Sequence, residues 1–154
     1  MRTEMVSRED FGKLTRSFSM TVGLREGYDG NKHHTVAEVV ELVKRFAVEY
    51  DLEFGGEIMP TTVVYSYRSK GAMVVEEEPG AKISGLFPPN KFGELSDQQL
   101  VSIIKTLASH LAGPLGQTSF HAEVCGAHYS WKRAGQLTAH EAAKETVTKQ
   151  GLQQ

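Results

Sequence analysis

Between Arg16 and Arg25 apolar and small polar residues alternate at period two, with Phe18, Met20, Val22 and Leu24 on one side. That period predicts a half-buried strand whose opposite face, formed by Ser17, Ser19, Thr21, Gly23 and Arg25, is small and polar. Gly27, Tyr28, Asp29, Gly30 and Asn31 then supply turn chemistry. Thr35 with Glu38 makes a capping box, and Val36, Val39, Val40, Val43, Phe46, Ala47 and Tyr50 recur at i, i+3, i+4 spacing. This predicts an amphipathic helix that is held by burial of its valine stripe, because β-branched residues have poor helix propensity of their own.

After Gly55 and Gly56 the chain becomes β-rich. Residues 61–67 read as a strand, 68–71 as a turn and 72–76 as the partner strand, with Pro60 marking a start or an edge. Extended structure resumes over 81–87 after Pro79 and Gly80, and the pattern leaves open whether 72–87 is one bent strand or two. Ser96 with Gln99 opens a second helix along Leu100, Ile103, Ile104, Leu107 and Leu111, which Gly113 and Pro114 should end. Residues 118–131 read as one long final strand. Phe120, Ala122 and Val124 face one way, and His121, Glu123, Cys125, Tyr129 and Trp131 the other, provided that Gly126 introduces no bulge. His128 then falls on the helix-facing side. From Thr138 a short polar helix carries only Ala143 and Val147 as a weak stripe.

This order predicts an α+β fold of the ferredoxin-like β-α-β-β-α-β kind. Its antiparallel sheet carries two helices on one face, with an extra hairpin and a C-terminal helix as additions. The expected organisation is an N-terminal arm over 1–14, a single α+β domain over 15–133 and a polar helical tail over 134–154. Such a fold hosts many unrelated functions and assigns none by itself.

Composition narrows the classes. With 154 residues, 40% hydrophobic and 23% charged, the chain can bury one self-sufficient core. Its apolar runs are too short to span a bilayer, so no membrane partner is expected. Its net charge of −2 comes with scattered lysines and arginines, which argues against nucleic acid. The first ten residues lack the apolar stretch of a secretory signal, and Cys125 is the only cysteine, so a cytoplasmic location is expected.

Two places could carry chemistry. The first is the loop from Gly27 to His34, a glycine-containing helix entrance with Lys32, His33 and His34 as donors, where backbone N–H groups can meet an anion. The plainer reading is a polar turn before a capped helix. Adjacent histidines diverge, and no carboxylate or cysteine spacing completes a set around them, so no metal is expected. The second is the open sheet face, where His121, Glu123 and Tyr129 would stand beside Ser19, Thr21 and Arg25. Cys125 and His121 would lie roughly 13 Å apart on an extended strand, too far for a nucleophile pair. His110 and His140 read as ordinary helix residues. Tyr65, Tyr67 and Trp131 could stack bases, but the first strand offers no aromatic to complete such a platform. Glu76, Glu77 and Glu78 read as a solvated edge.

Together these features lead to the expectation of a non-catalytic, self-associating protein that senses or sequesters a small anionic or nucleotide-like ligand, with no cofactor. Arg25, Gly27, Tyr28, Gly30, Asn31, Lys32, His33, His121, Glu123 and Tyr129 would bind it, some across a homo-oligomer contact. Two other readings stand beside it: a small acid–base enzyme using a histidine or Glu123 in the same cleft, and a purely structural assembly protein.

Overall fold

A computed structural model of the chain describes residues 15–26, 32–53 and 55–133. Its element order is β1 (Arg16–Gly23), α1 (Val36–Glu49), β2 (Gly55–Ser69), β3 (Ala72–Phe87), α2 (Pro89–Phe92), α3 (Asp97–Leu115), β4 (Ser119–Val124) and β5 (Ala127–Lys132). The five strands form one antiparallel sheet in the order β2-β3-β1-β4-β5. The chain is therefore α+β, with its helices over one face of that sheet. The expected N-terminal arm, the tip of the 27–31 loop and the C-terminal tail lie outside the described residues.

The period-two pattern of β1 decides which face is covered. Phe18, Met20 and Val22 pair with Gly85, Ile83 and Ala81 of β3, and Phe18 and Met20 pair with Val124 and Ala122 of β4. Paired residues share a face, so these side chains form one buried floor with Phe87 and Phe120. Val39, Leu42, Val43 and Phe46 of α1 and Leu100, Ile104, Leu107 and Leu111 of α3 close it from above. Each such side chain stabilises the fold by roughly 1.5–3 kcal/mol relative to exposure. Tyr50 caps α1 half in solvent, and Leu42 takes the inward place instead.

Both helices start where their caps predict, but only the second makes the full capping box, because the Glu38 carboxylate is engaged with His34. The Thr35 hydroxyl accepts from the Glu38 N–H, and Ser96 and Gln99 bond reciprocally. The second helix does not end at Gly113. Pro114 removes one donor in the last turn, yet the turn continues because Leu115 is fully buried and Gly116 caps it in the left-handed region at φ 59°.

One open strand question is answered and one strand expectation is corrected. Residues 72–87 form one continuous strand, paired residue for residue with β2 from Ser69↔Ala72 to Gly55↔Leu86. Pro60 is accommodated because β2 is an edge of the sheet. The expected long strand over 118–131 is instead a hairpin. Cys125 and Gly126 take φ values of 52° and 82°, the left-handed pair of a two-residue turn, and Lys70 and Gly71 do the same between β2 and β3. The Lys70–Gly71 pair falls in the expected turn, whereas Cys125–Gly126, which opens with neither Asn nor Asp and has no polar neighbours to mark it, reads as strand.

No helix among the described residues is long and apolar enough to cross a membrane.

Candidate functional site

The sheet face that no described helix covers gathers much of the polar side of the strands. Thr21 pairs with Lys82 on one side and His121 on the other, and Ser19 lies between Ser84 and Glu123. The β2–β3 hairpin runs beyond the end of β1, whose last pair with β3 is Gly23↔Gly80. This projecting part carries Val63, Tyr65, Glu76 and Glu78 on the open-face side, and all four are half-buried. Between it and the sheet lies a cavity of about 590 Å³, lined among others by Thr21, Thr61, Tyr65, Glu78, Ser119 and His121. A smaller recess of about 50 Å³ adjoins it at Arg25 and Gln117.

Arg25 organises this corner. Its guanidinium donates to the Tyr65 hydroxyl at 2.8 Å, and its backbone N–H points at the Glu78 carboxylate at 3.4 Å. Gln117, buried beneath, donates to the Arg25 carbonyl at 2.7 Å. Burial and a hydrogen bond to Glu76 push the Tyr65 hydroxyl above its ordinary pKa, so it stays protonated and donates to that carboxylate. Glu78 lies across β1 at Gly23, where a Cβ would stand 2.8 Å from its carboxylate oxygens. Glycine at that position is thus what lets the carboxylate reach the cavity.

His121 forms the opposite wall. Its Nδ1 lies 2.8 Å from the Ser130 hydroxyl, and its ring stacks on His128 with centroids 5.6 Å apart. Burial first, then the His128 and Lys132 charges, lower its pKa, so the imidazole is neutral at neutral pH. The folded state resists protonating this ring, whereas the unfolded chain takes up the proton near the ordinary 6.5. Stability contributed by the neutral ring is complete above that value and is lost as pH falls through it toward the lower folded pKa. His121→Asn should therefore lose less melting temperature between pH 7 and pH 5 than the wild type, and equal losses would rule out this linkage.

The hairpin turn corrects three expected orientations. Tyr129 pairs with Ala122 and Trp131 with Phe120, so both lie on the helix side, stacked on one another at 5.9 Å and half-buried against the core. His128, expected there, stands on the open face opposite Glu123. Across a two-residue turn even-numbered residues pair with odd-numbered ones, so everything after the turn changes face relative to a straight strand. The solvated-edge reading of the glutamates holds in part: β1 stops pairing with β3 at Gly80, so these residues lie on an unpaired strand margin, with Glu77 exposed, Glu76 and Glu78 half-buried, and Glu78 lining the cavity.

The structure separates the remaining expected residues. Glu123 lines a different cavity, of about 870 Å³, with Arg16, Asp97 and Cys125. Arg16 there is committed to the carbonyls of Leu95 and Phe92 and to Asp97. Cys125 is held protonated by burial and by the Asp97 charge, which makes it a poor nucleophile. Lys32 and His33 are exposed, Lys32 sits 3.8 Å from Glu26, and His33 bridges Arg25 through the backbone. Gly27, Tyr28, Gly30 and Asn31 lie outside the described residues. His34, expected as a loop donor, is buried, with its ring nitrogens 2.6 Å from Glu38 and 3.3 Å from Glu26. It ties the end of β1 to the start of α1. A third cavity, of about 690 Å³, is walled by Gly55, Gly56, Gly85, Leu86 and neighbouring groups, with Glu57 as its charged lining residue. Among the described residues no three histidine, cysteine or carboxylate side chains converge to hold a metal ion.

No family model and no curated protein sequence matches the chain. Two solved structures share its fold. One is a phage SAM lyase in complex with S-methyl-5'-thioadenosine, with TM-score 0.63 and 18% identity, covering 80% of this chain and 93% of that one. The other is a phage SAM lyase in the apo state, with TM-score 0.61 and 17% identity, covering 88% and 100%. The expectation of a non-catalytic sensing or sequestering protein is corrected by these neighbours, which are described as an enzyme. The enzyme reading that stood beside it is carried forward.

Proposed function

We propose that the chain is an enzyme that cleaves an S-adenosyl sulfonium, S-adenosylmethionine in the first instance, in the cavity between the β2–β3 hairpin and the open sheet face. The observation that carries this is a cavity with Glu78 and Tyr65 on one wall, the latter held by Arg25 from the adjoining recess, and the neutral His121 on the other. Its volume suits a nucleoside-sized ligand. The carboxylate of Glu78 favours a cationic sulfur, and Thr21, Thr61 and Ser119 offer hydroxyls to a ribose.

Sulfonium cleavage also explains why no triad is needed. The carbon–sulfur bond breaks with its electron pair staying on sulfur, and the leaving group is a neutral thioether that requires no general acid. The valence at carbon is filled from within the substrate, by its own carboxylate or by loss of a neighbouring proton to His121. His121→Asn separates the two, since only the second route needs that ring. The likeness in fold to the lyase structures supports the reading, and we take the strand order β2-β3-β1-β4 as the ferredoxin-like arrangement with β5 added. We further take the chain to act as a homo-oligomer.

The test is incubation of purified protein with S-adenosylmethionine and chromatography of the products. Methylthioadenosine should form in proportion to protein, faster than in a buffer control. Intact substrate beside correctly folded protein would refute the proposal.

A further inference from the structure

Gln117 leaves α3 through the left-handed Gly116 and is pinned from both ends. Its backbone N–H donates to the Ala112 carbonyl at 3.0 Å. Its side-chain Nε2 donates to the carbonyls of Arg25 at 2.7 Å and Leu115 at 3.3 Å, so both amide protons are used. An amide turned the other way would set its oxygen against those two carbonyl oxygens, which fixes the orientation.

The residue is only 9% exposed. Its Oε1 nevertheless takes no hydrogen bond from a described residue and, unlike the Arg25 Nε, is not sealed beneath other atoms. Gln117 borders both the cavity of about 590 Å³ and the recess of about 50 Å³ beside it. The oxygen is therefore an acceptor of fixed direction presented to the site, and no described donor of the protein satisfies it. An acceptor so nearly buried is matched by a donor on the ligand.

Size and charge decide which donor. This step rests on the proposed function, in which the ligand is an S-adenosyl compound. Such a substrate carries two kinds of N–H donor, the ammonium of its amino-acid end and the neutral 6-amino group of its adenine. Arg25 and Glu78 both line the recess, so their charges offset each other and an ammonium there would stand beside a guanidinium. A neutral donor meets no such cost. The recess admits an amino group and not a purine ring, and the ring has Val63 and Tyr65 to lie against in the larger cavity. We infer that the Gln117 Oε1 accepts a hydrogen bond from the adenine 6-amino group and makes the site selective for adenine over a 6-oxopurine, whose carbonyl oxygen would face the amide oxygen with no proton between them.

The test is calorimetric titration of the full chain with 5'-methylthioadenosine and with 5'-methylthioinosine, which carries a 6-oxo in place of the 6-amino group. The wild type should bind the adenosine compound about thirtyfold more tightly. Gln117→Met, of similar length and without the acceptor, should bring the two affinities to within about threefold of each other. This ratio separates recognition from scaffolding, because a residue that only supports Arg25 would weaken both ligands together when replaced and leave their ratio unchanged. If circular dichroism shows that Gln117→Met does not fold, the side-chain carbonyl carbon resonance of Gln117 in the labelled wild type decides: it should move with methylthioadenosine, and an unmoved resonance at saturation would overturn the assignment. Methylthioinosine binding within about threefold of methylthioadenosine, or a preference that survives in folded Gln117→Met, would overturn the assignment and leave the proposed activity standing. A wild type that binds no methylthioadenosine would remove both.

Discussion

Glu78→Gln is expected to lower kcat/KM for release of methylthioadenosine from S-adenosylmethionine by about a hundredfold, chiefly through KM, while affinity for methylthioadenosine itself changes by less than about threefold. The asymmetry follows from charge. The substrate sulfur is cationic and the product sulfur is neutral, so only the substrate and the path to its transition state feel the carboxylate. Two unit charges about 4 Å apart at an effective dielectric of 20 attract by about 4 kcal/mol, enough to supply a hundredfold effect after losses to solvent. Gly23→Ala is the companion variant. A methyl group there would meet the Glu78 carboxylate at 2.8 Å and displace a flexible side-chain end without disturbing backbone, so it should mimic the loss of Glu78 with little change in melting temperature. Equal losses for substrate turnover and product affinity would mean that Glu78 only shapes the cavity.

Leu111→Ala is expected to carry the largest stability cost, about 3–4 kcal/mol. Leu111 has no exposed surface and sits on the α3 stripe that presses on the sheet floor. Truncating it loses both the transfer of the removed atoms and the contacts around the space they leave. Urea unfolding should show a lower midpoint with an unchanged slope. A cost below about 1 kcal/mol would mean that α3 does not hold the covered face closed.

The covered face is legible in the sequence because burial writes itself into period. Phe18, Met20 and Val22 at every second position, and Leu100, Ile104, Leu107 and Leu111 at helical spacing, appear in the core where the pattern puts them. What is less legible depends on single residues that do not alter the period. Cys125 adopts a positive φ that cysteine rarely takes, and the turn it makes with Gly126 moves Tyr129 and His128 to opposite faces from those expected. The site is half legible for the same reason. Thr21 and His121 follow from alternation within β1 and β4, whereas Tyr65, Glu76 and Glu78 need the register of β2 on β3. That register is set by the Lys70–Gly71 turn, and once it is fixed, Tyr65 and Glu76 fall opposite each other. Gln117 carries no signal at all, because a buried glutamine after a helix cap resembles any polar linker residue. The Gly27–His34 loop stands out in the sequence for its helix-entrance chemistry. Within its described part, however, Lys32 lies near Glu26 and the His34 ring is engaged with Glu38 and Glu26.

The most direct test of the site is titration of isotopically labelled protein with methylthioadenosine, followed through backbone amide resonances. Shifts clustered at Thr21, Thr61, Tyr65, Glu78 and Ser119 would match a ligand held between the β2–β3 hairpin and the open sheet face. Shifts confined to the Lys32–His34 segment, to the Arg16–Cys125 cavity, or absent at saturating ligand would contradict it.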